Sequence, residues 1–181
     1  MTQVVRIESL RGYVGLVESL GGDARSILSL HGLSPERLEE DWSLIPYRIF
    51  VNLLEETAEI LQCKDFGLRF SQRQDFSILG PIAMAAQHAA TLRGSFQRVT
   101  SYMHVYSSAI AIHINELPDD DEVVTNIEFS LNPMPSNKQA IELTIALACQ
   151  ITSVLSGGIA KPKKLLLPYG QFHKSRLYRQ I

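Results

Sequence analysis

Two cysteines in 181 residues leave this chain little sulfur chemistry. Cys63 and Cys149 stand far apart in helix-like segments, so buried free thiols in a reducing cytosol are the expected reading rather than a disulfide framework. No apolar run approaches the ~20 residues of a membrane span. The opening MTQVVRIESL has neither an apolar core nor a cleavage signature, so no export signal is read there and a cytoplasmic protein is expected. The formal net charge of −2 offers no surplus of positive charge for nucleic acid or an anionic membrane. HExxH, paired Cys-x-x-Cys, a phosphate-cradling glycine loop and the Gly-x-Ser-x-Gly elbow are all missing. None of the 5 histidines is spaced with another as metal ligands are. No catalytic set, metal site or cofactor is therefore expected, and no internal repeat or low-complexity tract is visible.

What is present is enough apolar sequence, 45%, to bury a substantial core. The stretch from Asp75 to Ile114 organises the rest. Gly80-Pro81 opens a helix, because proline has no N–H to lose at the first helical position. That helix stops near Thr91. A second follows over 91–106, with Leu92, Phe96, Val99, Met103 and Tyr106 forming one apolar stripe. Residues 109–116 then alternate β-branched residues as a strand does.

Before that stretch, residues 9–20 read as a helix capped by Ser9 and ended by Gly21-Gly22. Asp23 caps Ala24–Leu30, and Ser34-Pro35 starts a further helix over Pro35–Glu40. ARSILSLHGLSPERL has the local look of a helix-turn-helix. Glu36 to Asp41, however, sets four acids against one arginine, and such a helix would repel phosphates, so a small helical part packed on the main core is expected. Pro46–Gln62 is the clearest amphipathic helix, with Ile49, Leu53 and Ile60 beside Phe50, Leu54 and Leu61. A shorter helix over Asp65–Gln72 follows, weakened by Gly67.

After it, Leu117–Glu122 reads as an acidic hairpin tip. Glu122–Leu131 is the return strand, with Val123, Thr125, Ile127, Phe129 and Leu131 facing the core. Ser136 caps a helix over Asn137–Leu155 that is apolar nearly all round, Glu142 and Gln150 being the exceptions. Leu165–Leu167 reads as a third strand and Lys174–Gln180 as a basic helical end, joined by a solvated KPKK connection. The pattern as a whole is α+β and predominantly helical: a small antiparallel sheet packed by several helices.

Few residues invite a functional role. His113 shares a strand face with Ala109, Ala111 and Asn115, so its ring needs a polar partner if that face is covered. Tyr102 and Tyr106, one turn apart, present hydroxyls, and Thr125 adds a polar group beside apolar walls. These four are the candidate ligand-binding residues. The bland alternative for each is a core aromatic, a surface histidine or core filling. His104 or His113 with the nearby tyrosines would serve a haem-type sensor or small enzyme, the alternative reading, and a purely structural dimerisation module is a third.

The order HGLSPERL (31–38), Ile45-Pro46 plus helix (45–62), FGLRF (66–70), DFSILGPIAMAAQHAATLRGSFQRVTSYMHVYSSAIAIHI (75–114), then two strands and a long helix, resembles the N-terminal effector-binding and dimerisation domain of AraC/XylS-family bacterial transcription regulators. The likeness is to the non-cupin, arabinose-binding-domain subgroup and covers nearly the whole chain. It implies one effector-binding and dimerisation domain over 1–181, with a helical part over 1–44 and a core over 45–181. It also implies a small-molecule effector, a homodimer, and DNA contact only through a separate C-terminal domain of two helix-turn-helix units, which these residues lack. The family carries no invariant catalytic set, so no active-site residue transfers. Its closing strand region extends past the tyrosine matched by Tyr178, which implies an incomplete sheet and a more open cavity. Dimerisation is expected on helix 137–155 or helix 91–106, and Leu147→Asp is expected to unfold the chain.

Overall fold

The computed structural model describes residues 2–40, 43–116, 123–131, 136–169 and 176–179. It begins with a strand that periodicity did not reveal: β1 (Val4–Arg6) pairs antiparallel with β2 (Leu44–Pro46), Val5 lying opposite Ile45. Three-residue strands are too short for an alternation signal, and only their partner across the fold identifies them.

The helix expected over 9–20 is two elements. A 3-10 turn, Ile7–Leu10, is separated from α1 (Tyr13–Ser19) by Gly12 at φ 83°. Ser9 is therefore no cap; it is buried inside the turn. The break is built in, because Gly12 is left-handed and a Cβ there would meet the Arg73 carbonyl oxygen at 3.0 Å. Asp23 caps α2 (Ala24–Leu30) as expected, accepting from the Ser26 N–H at 3.1 Å. The helix expected over Pro35–Glu40 is only a 3-10 turn, Glu36–Glu39, too short to repay an α-helical nucleus.

Pro46 ends β2 and stands outside α3 (Tyr47–Ile60) rather than inside its first turn. Phe50, Leu53 and Leu54 are buried as expected, but Ile60, the last residue of α3, is 49% exposed. The short α4 (Phe66–Ser71) follows. In α5 (Pro81–Gln87) the proline occupies its expected place behind Gly80. Thr91 caps α6 (Leu92–Tyr106) by accepting from the Gly94 N–H at 3.1 Å. Ser95 on α6 donates to the Ala86 carbonyl at 2.8 Å, stitching α6 to α5.

The expected hairpin is present: β3 (Ile110–Glu116) pairs antiparallel with β4 (Val123–Phe129), Ile112 opposite Ile127 and Ile114 opposite Thr125. Its tip, 117–122, lies outside the described residues. Its root is tied to β1, for the Ser108 N–H donates to the Val4 carbonyl at 3.0 Å and Val5 bridges Ser107. The expected core face is only half realised. Ile127, Phe129 and Leu131 are partly buried, while Thr125 is exposed and Val123 is 57% exposed. Cover thins toward the tip because α6 supports the hairpin at its root.

The last long element is α7 (Lys138–Leu155), which packs against α4 and α3. Ser136 does not cap it. Glu55 of α3 does, accepting from the Gln139 N–H at 2.6 Å and from the Ser136 hydroxyl at 3.4 Å. Gly67 is explained here as well: its N–H donates to Gln139 Oε1 at 2.8 Å, and a Cβ on it would lie 2.1 Å from the Gln139 carbonyl oxygen. Leu165–Leu167 forms no strand; Leu166 is 79% exposed, and Pro162 and Pro168 flank the segment. The described part of the expected basic helical end is a 3-10 turn, Arg176–Arg179. Cys63 and Cys149 are free thiols. Seven α-helices and two two-stranded sheets make the described residues predominantly helical α+β, as the sequence indicates.

Candidate functional site

The four residues singled out from sequence are not gathered in one place. His113 sits opposite Asn126 on β4, its side chain 56% exposed, with Nε2 3.9 Å from Glu128 Oε2. Thr125, opposite Ile114, lies on the other face of the ribbon and is exposed. Tyr102 is 50% exposed on α6. Tyr106, one turn later, is 8% exposed and points into the core. His104, the other histidine of the haem reading, is exposed too. Among the described residues no group of three or more His, Cys, Asp or Glu side chains could hold a metal ion.

Tyr106 leads inward to a set that sequence patterns do not reveal. Its hydroxyl lies within the field of the Glu8 carboxylate, the Arg11 guanidinium and Tyr47, and burial raises its pKa well above the usual phenol range. Tyr47, the first residue of α3, is 1% exposed and stacks on Phe50 with ring centroids 5.7 Å apart. Among the described residues its hydroxyl has no hydrogen-bond partner. The 3-10 turn that carries Glu8 also carries Ser9, whose buried Oγ is likewise unpartnered. Gln74 reaches this turn and donates from Nε2 to the carbonyls of Ser9 at 2.8 Å and Arg11 at 3.1 Å, leaving its buried Oε1 without a donor.

An orphaned buried polar group costs about 1–3 kcal/mol, so such groups are normally satisfied by a bound molecule or ordered water. Three such atoms, Ser9 Oγ, Tyr47 Oη and Gln74 Oε1, are buried without a partner among the described residues, Tyr47 within the field of Tyr106 and Gln74 on the turn that carries Ser9; they can accept and donate hydrogen bonds. Tyr47 follows Ile45-Pro46 and reads in sequence as a core aromatic. Gln74 sits between two charged residues and reads as a loop. Only the fold brings Tyr47 near Tyr106 and Gln74 onto the turn of Ser9.

A second buried polar cluster lies where α7 meets α4 and the last turn. Glu142, one of the two polar exceptions on this apolar helix, is 1% exposed. The covering comes from α4, pressed close by Gly67, and from the Arg176–Arg179 turn. Lys138 Nζ is 3.2 Å from Glu142 Oε1, and the Tyr178 hydroxyl donates to the same oxygen. Oε2 has no hydrogen-bond partner among the described residues. Burial raises the pKa of Glu142 against the pull of Tyr178 and Lys138, and burial likewise raises that of Glu55, against the Gln139 N–H. The arrangement ties the end of the chain to the core.

Comparison with known proteins places this geometry. Residues 21–181 match the family described as the arabinose-binding domain of AraC transcription regulator, N-terminal. The HTH-type transcriptional regulator VirS of Mycobacterium tuberculosis, in strains CDC 1551 / Oshkosh and ATCC 25618 / H37Rv, is 29% identical over 177 residues. That alignment takes in 98% of this chain and 52% of the relative, so the chain spans about half the length of the curated relatives it matches.

Proposed function

Since the chain belongs to the family of N-terminal arabinose-binding domains of AraC transcription regulators, we propose that it senses a small-molecule effector, self-associates, and so sets the DNA affinity of a separate half of a regulator. Residues 1–181 act as one regulatory unit in the cytoplasm, without catalysis of their own. No described helix is long and apolar enough to cross a membrane.

The observation that supports sensing is the set of buried polar atoms, Ser9 Oγ, Tyr47 Oη and Gln74 Oε1, that have no hydrogen-bond partner among the described residues. An effector with hydroxyl or carbonyl groups satisfies them, and the apolar core around them excludes water. Tyr102, His113 and Thr125, further out, serve at most the approach to this site. Self-association uses the second half of α7, where the sequence from Leu143 to Ala160 holds no charged residue and Val154 is 59% exposed. The mechanism is a population shift: an effector that binds one dimer arrangement better than another moves the equilibrium by its differential affinity alone.

The test combines native mass spectrometry with thermal melting against a metabolite library that includes arabinose. A dimer whose melting temperature rises with one compound class is expected. Tyr47→Phe should leave the free chain as stable or more so, since it deletes an orphaned hydroxyl, yet weaken the response to that compound. A chain that stays monomeric at high concentration and answers no metabolite sinks the proposal.

A further inference from the structure

Opposite residues of an antiparallel pair alternate between those that exchange both backbone hydrogen bonds and those whose N–H and C=O point away from the partner strand. In the hairpin the Ser130 N–H donates to the Ala109 carbonyl at 2.8 Å, one step past the Ile110–Phe129 pair. The alternation then directs the N–H and C=O groups of Val123, Thr125, Ile127 and Phe129 outward from β4. On β3 the outward side is met at its root by β1, where the Ser108 N–H donates to the Val4 carbonyl at 3.0 Å. On β4 no backbone hydrogen bond reaches the outward side among the described residues, and no strand lies beside it.

A bare edge is a template for another strand, and proteins blunt such edges with proline, lysine, a bulge or a covering segment. The β4 sequence, VVTNIEF, contains neither proline nor lysine, and its register with β3 is unbroken over 7 residues. Side-chain cover is thin as well, Val123 to Asn126 all being exposed. The one charge on the strand, Glu128, lies 3.9 Å from His113 of its own hairpin.

We propose that β4 is an interface with a second copy of this chain. Two β4 strands pair antiparallel about a two-fold axis and join two hairpins into one four-stranded sheet. The strand complements itself in one register. With Asn126 of one copy facing Asn126 of the other, Val123 lies opposite Phe129 and Thr125 opposite Ile127, so all four outward residues of each strand find partners. Centring the pair on Thr125 or Ile127 instead leaves one outward residue of each strand beyond the end of the other.

Side chains agree with that register. Glu128 falls opposite Val124, so no like charges face each other. The two Asn126 amides, each able to donate and accept, meet at the axis. Val123, 57% exposed in the single chain, gains Phe129 of the other copy as its cross-strand neighbour, a β-branched and aromatic pair of the kind that stabilises sheets. The contact uses neither α7 nor the buried polar atoms, so it stands or falls apart from the sensing proposal.

Amide hydrogen exchange of the 181-residue chain, followed by NMR across a concentration series with sedimentation velocity in parallel, reads the contact. Val124, Asn126 and Glu128, bonded to β3, should be protected at every concentration. Thr125 and Ile127 should be protected only where the chain sediments as a dimer. Their protection in the monomer means that the chain covers its own edge, and their fast exchange in the dimer means that copies meet elsewhere. Either result overturns the proposal, as does a chain that is monomeric throughout.

Cross-linking tests the register. In a C149S background N126C brings two thiols within disulfide reach at the axis, because a non-hydrogen-bonded pair sets Cα atoms about 4.5 Å apart. V124C faces Glu128 instead. Under mild oxidation N126C should give a covalent dimer and V124C several-fold less; equal yields, or none from N126C, overturn the proposal. Adding V154D, which weakens the α7 contact, should leave the N126C dimer in place. Its loss assigns the encounter to α7 and overturns the proposal, while effector response is read separately.

Discussion

From Lys138 to Ala146, α7 lies against its neighbours, with Ala140, Ile141, Glu142, Leu143 and Ala146 all buried; from Leu147 to Leu155 the same apolar density continues, but every residue there is at least partly exposed. Sequence makes the two halves nearly equivalent, and the first even contains more charge, in Lys138 and Glu142. Their difference comes from what surrounds them. Gly67 lets α4 approach the first half until backbone nearly touches backbone, and Glu55 fixes its N-terminus from α3. The second half has Leu147, Ile151 and Leu155 packed on the core along one side, while Val154 faces out. An apolar stripe reports that a helix wants cover; it does not report which half the fold already covers.

The contrast is broken or sharpened most strongly by putting one charge at three depths. Leu143→Asp places an unpaired carboxylate where the side chain is 3% exposed, at a cost of about 3–5 kcal/mol, enough to unfold many domains. Val154→Asp should change the stability of the monomer by no more than about 0.5 kcal/mol while weakening self-association. Leu147→Asp, half-buried against the core, should fall between them. Melts followed by circular dichroism, with mass determined in parallel, check the series; a Val154→Asp chain that unfolds like Leu143→Asp erases the distinction.

The next largest effect tests the close approach itself. Gly67→Ala forces a Cβ to within 2.1 Å of the Gln139 carbonyl oxygen, so α4 and α7 must separate, at about 1–3 kcal/mol or more. Gly15 in α1 has nothing within 4 Å of a Cβ, and Gly15→Ala should stabilise by about 0.4–1 kcal/mol. Thermal or urea melts of the two variants should therefore move in opposite directions.

How much of this was legible in the sequence follows from the same distinction. Long periodic elements were: α3, α6, the hairpin and α7 lie where the apolar spacing places them, and Asp23 caps α2 as its position before Ala24 indicates. Features decided by a distant partner were not. β1 exists because β2 lies beside it, and Gly67 looks like a helix weakness until Gln139 is seen against it. The burial of Glu142 is not legible in sequence because the turn that covers it, with Tyr178, is 36 residues away. The candidate site followed the same rule. Tyr106 was visible from its place on a periodic helix, whereas the meeting of Gln74 with the Ser9 turn and of Tyr47 with Tyr106 exists only in the fold. His113 stands out in sequence only if its strand face is covered, and Thr125 only if it lies beside apolar walls; both are exposed, as is Tyr102 on α6.

The finest test of the two halves uses pH, because only the first holds a buried carboxylate, Glu142, with the partly buried Glu55 of α3 against its N-terminus. In the folded chain burial lifts both Glu142 and Glu55 above the ordinary value of 4.5. Between that ordinary value and the raised one the native state binds more protons than the unfolded state, so stability falls as pH rises through this window. One group contributes a slope of at most about 1.4 kcal/mol per pH unit. Glu142→Gln removes the larger burial and should flatten the decline, leaving the part due to Glu55. The second half of α7 has nothing that titrates there: its one ionisable group, the Cys149 thiol, is pushed up to about 11 by burial and stays protonated. Melting temperatures taken from mildly acidic to neutral pH should therefore run parallel for Cys149→Ser and the wild type and diverge for Glu142→Gln. Parallel curves for all three would mean that the Lys138 and Tyr178 contacts hold Glu142 charged with no net penalty, and that the covered half of the helix is electrostatically as quiet as the open one.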